Sequence, residues 1–284
     1  MTEFVRTILD PDIPFLRYAL LMGLLASIPF GVVGSYVVAR RISYLAGAIA
    51  HSVLGGIGAA LYFQNAWDLP WLRPMYGALV AALVAALIMG LVSRYASERE
   101  DTAIGALWAI GMATGLIFIS KTSGYIDPMT YLFGNILILT RTDLWLVLGL
   151  DVVVISLALY YYHALQAVCF DEEYARLRGL KVDFYYFLLM ALTAMTVVLM
   201  VGIVGIVMVV ALLTLPAAVG GMLSRRLWQM MLVATLACAC FMTAGLQVSF
   251  TRDLPTGPTI ILVAGAVYLL VILLRFLWGL RRKS

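Results

Sequence analysis

Apolar residues run through this chain in long stretches that charged residues interrupt at intervals. The stretches cover approximately 15–39, 42–63, 74–93, 102–120, 143–163, 184–200, 203–223, 228–250 and 257–278. Each is near the ~20 residues a helix needs to cross a ~30 Å hydrocarbon core. Residues 184–223 are too long for one crossing, and Gly202 and Gly205 mark where the run divides. A shorter apolar piece, 129–139, falls short of a span. It is expected to be re-entrant or interfacial, because irregular backbone at membrane depth is tolerated only against protein or water. The pattern predicts an all-α polytopic membrane protein of about nine transmembrane helices. With no internal repeat, low-complexity linker or soluble domain in the sequence, residues 1–284 are expected to form one transmembrane unit.

Composition supports the same class. The chain is 64% hydrophobic and only 12% charged, against about 25% charged in soluble domains, and its mean hydropathy is +1.02. The net charge of +4 therefore reports topology before it reports any affinity for nucleic acid, and no nucleic-acid partner is expected. With Arg40 and Arg41 in the cytoplasm and nine alternating spans, thirteen of the 19 basic residues fall inside and six outside. That bias puts the N-terminus outside and the C-terminus in the cytoplasm. Residues 1–14 are mixed polar and carry no cleavable signal, so the first span is expected to be retained. Trp67 and Trp71 belong to an outer aromatic belt and Tyr160, Tyr161 and Tyr162 to an inner one. Cys238 and Cys240 point apart on a helix, and all three cysteines are expected to be buried and structural.

Candidate chemistry is sparse. Residues 40–60 read RRISYLAGAIAHSVLGGIGAA. As a helix, this run places His51 roughly 12–15 Å from the arginine end. Gly47, His51, Gly55 and Gly58 share one face at helical spacing, so the only large side chain on that stripe is an imidazole. Glycines there allow close approach of another helix or leave room for a solute. His51 is either hydrogen-bonded inside a packed bundle or a metal ligand or pore-lining group, since neutral imidazole is the commonest metal ligand. Asp151 falls near mid-span with no basic residue at i±3 or i±4. It must face a cavity, be protonated, or find a partner elsewhere. Asp127, ahead of Pro128, and Asp253, in a turn-rich segment, read as turn formers. No phosphate-binding G-x-x-x-x-G-K-[ST] loop and no H-E-x-x-H occur. If transport here uses ATP, another chain binds it.

The longest polar connection, 164–183, contains FDEEYARLRGLKV. Acids at its start, bases at its end and Gly179 just beyond are the start and stop signals of a short helix. The segment is either a solvated loop helix or a docking helix for a cytoplasmic partner.

Six segments in order resemble the integral-membrane permeases of ATP-binding cassette importers for zinc, manganese and iron, over nearly the whole chain. They are GVVGSYVVARRISYLAGAIAHSVLGG, REDTAIGALWAIGMATG, DPMTYLFGNIL, FDEEYARLRGLKV, VGIVGIVMVVALLTLPAAVGGMLSRR and SFTRDLPTGPTIIL. The resemblance implies a multi-pass protein of the bacterial cytoplasmic (inner) membrane. It also implies a homodimer, or a pair with a similar permease, seated on two cytoplasmic ATPase subunits and fed by an extracytoplasmic metal-binding protein. Such a chain is not an enzyme and binds no cofactor of its own; ATP belongs to the partner, and the metal is cargo. His51 matches the family's intramembrane metal-contacting histidine. Residues of about 171–180 match its coupling helix, with Asp171, Glu172, Ala175, Arg178 and Gly179 as the ATPase-coupling positions.

One departure stands out. Where the family has an aspartate four residues before the histidine, this chain has Gly47. Two copies of His51 supply two nitrogens, whereas zinc usually takes four ligands, completed in a transit site by water. Asp151 is the mid-depth carboxylate available to substitute, so the candidate metal set is His51 and Asp151. Losing an oxygen donor tilts the expected cargo toward zinc and away from harder ions such as manganese. The resemblance also admits manganese, iron or a metal chelate. Two other classes are weighed against it. An ion-gradient metal carrier would show a repeat with paired broken helices, and an intramembrane metalloenzyme would need more converging ligands.

Overall fold

The computed structural model describes residues 14–95, 99–124, 127–134 and 141–281. Among them are twelve helices and no strand. The helices are α1 (Pro14–Ala39), α2 (Ser43–Ala66), α3 (Pro74–Tyr95), α4 (Glu100–Lys121), α5 (Met129–Phe133), α6 (Arg141–Tyr160), α7 (Tyr162–Phe170), α8 (Glu172–Leu177), α9 (Val182–Val204), α10 (Ile206–Leu223), α11 (Leu227–Arg252) and α12 (Thr256–Arg281). Eight are long and apolar enough to cross a membrane, and α6 with α7 makes a ninth crossing if the bent pair counts as one. The hydropathy pattern and the helices thus agree in number and, within a few residues, in position.

The core lies along α1, α2 and α9. Tyr36, Ile49, Leu54, Leu189 and Leu192 are fully shielded within it. The helix α9 packs on α1, α2, α3 and α6, and α10 packs on α1, α2, α11 and α12. In lipid no hydrophobic effect drives helices together, so close van der Waals packing over small residues does that work. Gly31 of α1 is one such point: a Cβ there would collide with the backbone of Thr235 in α11. Gly56 of α2 and Gly77 of α3 meet the same way, each against the other's carbonyl.

The long 184–223 run divides at Gly205, which ends α9 and begins α10 at φ 81° and ψ 162°. Gly202 lies within α9. The short helix α5 ends in a matching glycine, Gly134, at φ 78° and ψ 160°. The two breaks abut, since a Cβ on Gly205 would lie 2.5 Å from Gly134 N and equally close to Phe133 C. The piece expected at 129–139 is therefore a one-turn helix wedged against the α9–α10 break, and its residues 135–139 lie outside the described residues. Asp127 caps it by accepting from Met129 N at 3.0 Å. Asp253 sits in the left-handed region at the end of α11, a conformation Asp tolerates better than most residues.

Two sequence expectations are corrected here. The run 143–163 is not one straight span: α6 stops at Tyr160 and α7 leaves at 70° to it. The chain turns at Tyr161 (φ −95°, ψ 19°), whose ring packs edge-on against Tyr160, Phe184 and Tyr185. Aromatic packing at the membrane boundary overrides the continuing apolar pattern. The cysteines are free as expected, but Cys240 is exposed; Cys169 and Cys238 are buried. On α11 the two-residue spacing turns one thiol inward and the other out.

Candidate functional site

The glycine stripe of α2 is used in two ways. Its far end is a helix contact. A Cβ on Gly58 would lie 2.5 Å from Gly115 O, and one on Gly55 would lie 3.0 Å from Gly111 O and 2.9 Å from Thr114 Oγ1. Glycines of α4 answer glycines of α2, so the two backbones nearly touch. Ser52 ties the same pair by donating to Ala48 O at 2.8 Å and to Leu107 O at 3.3 Å. The near end is looser. A Cβ on Gly47 would find only Trp108 at 3.6 Å and Val210 at 4.0 Å, both ordinary contacts. Packing does not forbid a side chain at position 47.

His51 lies between these two regions and is 8% exposed. Its imidazole stacks on the indole of Trp108 from α4, with ring centroids 3.9 Å apart and planes 14° from parallel. The Nδ1 atom is buried without a hydrogen-bond partner. One indole thus spans a helical turn of α2, covering His51 and the space over Gly47. Trp108 was not legible as part of this site, since an aromatic in a span looks like any lipid-facing aromatic.

Asp151 is also buried, 3% exposed, and neither carboxylate oxygen has a hydrogen-bond partner. It stands on α6, which packs on α1, α9 and α7, whereas α2 packs on α4, α3, α10 and α9. The two metal candidates therefore lie on helices that share α9 and, more lightly, α1 as neighbours without packing closely on each other. Among the described residues no three His, Cys, Asp or Glu side chains converge in one chain.

The 164–183 connection folds as its residues direct. Asp171 is the N-cap of α8, accepting from Tyr174 N at 2.9 Å. At the other end Gly179 takes φ 78°, with Gly179 N donating to Arg176 O and Leu180 N to Ala175 O. This paired bonding around a left-handed glycine closes the helix sharply. Ala175 is fully buried against Val168 and Val182. Tyr174, Leu177 and Arg178 face outward, Leu177 at 87% exposure. Glu172 turns inward, where it meets Arg40 and, at 2.9 Å, Arg94. Burial works against its ionisation, but hydrogen bonds and charges from both arginines outweigh that and hold its carboxyl below the usual range.

These features define a polytopic all-helical protein with an imidazole, His51, buried inside the helix bundle and a short capped helix between α7 and α9. Comparison with known proteins assigns the class. Residues 12–275 match the ABC 3 transport family. The chain is 42% identical to an uncharacterized membrane protein of Synechocystis sp., with 92% of this chain and 91% of that protein covered. It is 32% identical to the manganese transport system membrane protein MntC of Halalkalibacterium halodurans, covering 95% and 93%. Its fold superposes on a chain of PsaBC from Streptococcus pneumoniae with a TM-score of 0.84, at 29% identity over 95% of this chain and 94% of that one. The chain belongs to the ABC 3 transport family. It is a multi-pass permease subunit of a bacterial metal import system, not a catalyst, and works with ATPase and binding-protein partners.

Proposed function

We propose that this permease carries a zinc ion past His51 into the cytoplasm, powered by ATP hydrolysis on a partner subunit. The observation behind the cargo is the donor set on α2: one imidazole, no carboxylate at position 47, and no steric reason for its absence. Imidazole suits zinc, while harder ions favour oxygen donors. The chain works as a homodimer in this reading, and two copies of His51 with water complete a transit site. It inserts with its N-terminus outside and its C-terminus in the cytoplasm, placing α8 against the ATPase with Tyr174, Leu177 and Arg178 presented outward. An extracytoplasmic metal-binding protein delivers the ion. A second reading, manganese, is favoured by the names of relatives from Halalkalibacterium halodurans and Listeria monocytogenes.

The test is radiometal uptake by vesicles holding the permease with its ATPase and binding protein, supplied in turn with zinc, manganese and iron. Wild type takes up zinc in preference to manganese. Gly47→Asp, which adds an oxygen donor one turn from His51, shifts that preference toward manganese by about tenfold, equivalent to ~1.4 kcal/mol. Wild-type uptake already favouring manganese, and unmoved by Gly47→Asp, supports the second reading instead.

Asp151 offers a second contact for the ion on its way through. Asp151→Asn keeps the shape and removes the charge. Uptake then falls about tenfold, while the thermal midpoint stays level or rises because an unpaired buried carboxylate is costly. A lower midpoint with unchanged uptake makes Asp151 a packing residue.

A further inference from the structure

The inward face of α8 carries a carboxylate that three segments share. Glu172 Oε1 accepts from Arg40 Nη2, and Oε2 accepts from Arg94 Nη1 at 2.9 Å. Arg40 closes α1: Arg41 takes the left-handed φ of 63°, and Ile42 N reaches back to Val37 O, which turns Arg40 inward and Arg41 out. Arg94 is in the last turn of α3. Both guanidinium groups also lie on the ring of Tyr186 in α9, with Cζ atoms 4.8 and 4.5 Å from its centroid. Tyr186 is 2% exposed and donates to Ser93 Oγ of α3 at 2.9 Å. Arg40 further donates to Val168 O of α7, and Arg94 Nε lies 3.4 Å from Asp183 of α9.

The resulting unit is a knot of two cations, one shared anion and an aromatic ring, with both arginine side chains about 12–13% exposed. At that burial an ion pair is coupled far more strongly than a pair in water, and removing one partner strands the other. From the knot, α3 continues to Gly77, whose contact with Gly56 presses on α2, the helix of His51.

We propose that Glu172 is a positioning residue that fastens the ATPase-docking helix to α1 and α3, so that a displacement of α8 is delivered to α2, and that it is not part of the surface the ATPase touches. This rests on α8 being the docking helix. The arrangement accounts for why one short helix presents Glu173, Tyr174, Leu177 and Arg178 to solvent while Glu172 is withdrawn. It also assigns the two arginines a role as receivers of motion.

The experiment uses the full transporter in vesicles and measures the ratio of metal imported to ATP hydrolysed, a ratio independent of how much protein folds. Glu172→Gln, Arg94→Gln and the double variant are compared with wild type, and retention of the ATPase on affinity-purified permease is measured for each. The expected result is an assembled complex that still hydrolyses ATP while its transport ratio falls about 5- to 150-fold, the span of typical coupling energies. The double variant is no worse than either single one, because both remove the same link. Loss of the ATPase from Glu172→Gln alone places the glutamate at the partner surface and overturns the proposal. So does an unchanged ratio, even with a lower thermal midpoint, and so does an additive double variant. Leu177→Arg, at a side chain 87% exposed on α8 and away from the left-handed cap at Gly179, separates the two levels. It sheds the ATPase or abolishes uptake if α8 docks there, and normal uptake by that variant removes the docking reading itself.

Discussion

His51→Ala is expected to abolish ATP-driven metal uptake while the permease still inserts and holds its ATPase. The imidazole is the one ionisable side chain on its stripe of α2, and its Nδ1 is buried with no partner. Such a group in a membrane span is costly to keep and finds its use where a substrate passes. Uptake is expected to fall at least about 10- to 100-fold, the loss seen when even the outer support of a metal ligand is removed. The variant forfeits one aromatic stack with Trp108, worth about 0.5–1.5 kcal/mol beyond the area it buries. Radiometal uptake with a thermal melt on the same preparation gives the answer. Unimpaired transport by His51→Ala makes the histidine a packing residue under an indole, and moves the transit site elsewhere.

Gly205→Leu fails to give a stable permease. The backbone there occupies a region that only glycine enters readily, at φ 81° and ψ 162°, and forcing another residue into it costs roughly 1–3 kcal/mol. The added side chain also meets the backbone of Leu132, Phe133 and Gly134. Overpacking against atoms that cannot rotate away adds a similar amount, about 1–3 kcal/mol. Against a total stability of ~5–15 kcal/mol this is a large share. Detergent-extracted yield and melting midpoint both drop sharply, and Gly205→Ala falls in between. Gly149→Ala, at a glycine with nothing within 4 Å, serves as the neutral control. A wild-type melt for Gly205→Leu would mean that α5 does not press on the α9–α10 break.

Much of this architecture was legible because lipid imposes one demand, about 20 apolar residues per crossing. That demand placed the spans and required a break inside 184–223. It also set 129–139 apart as too short. It could not show the 70° bend at Tyr161, because the apolar run continues through it and the turn is made by ring packing between distant residues. Likewise the ends of α8 were readable from Asp171 and Gly179, since caps are local. The inward turn of Glu172 was hidden because it depends on Arg40 and Arg94, 132 and 78 residues away. The glycine stripe was visible, but its division into a tight contact at Gly55 and Gly58 and a roomier one at Gly47 needed Gly111, Gly115 and Trp108 from another helix.

The bend between α6 and α7 gives the molecule a crank. The nine residues of α7 make an arm about 13 Å long at 1.5 Å per residue, set across the axis of the span it leaves. A tilt of about 10° at Tyr161 would sweep the far end of such an arm by about 2 Å, the scale of helix shifts that switch interfaces. If α8 takes the push of a partner, such an arm would turn that push into rotation about α6 rather than a pull along it, with a stroke set by the length of one short helix.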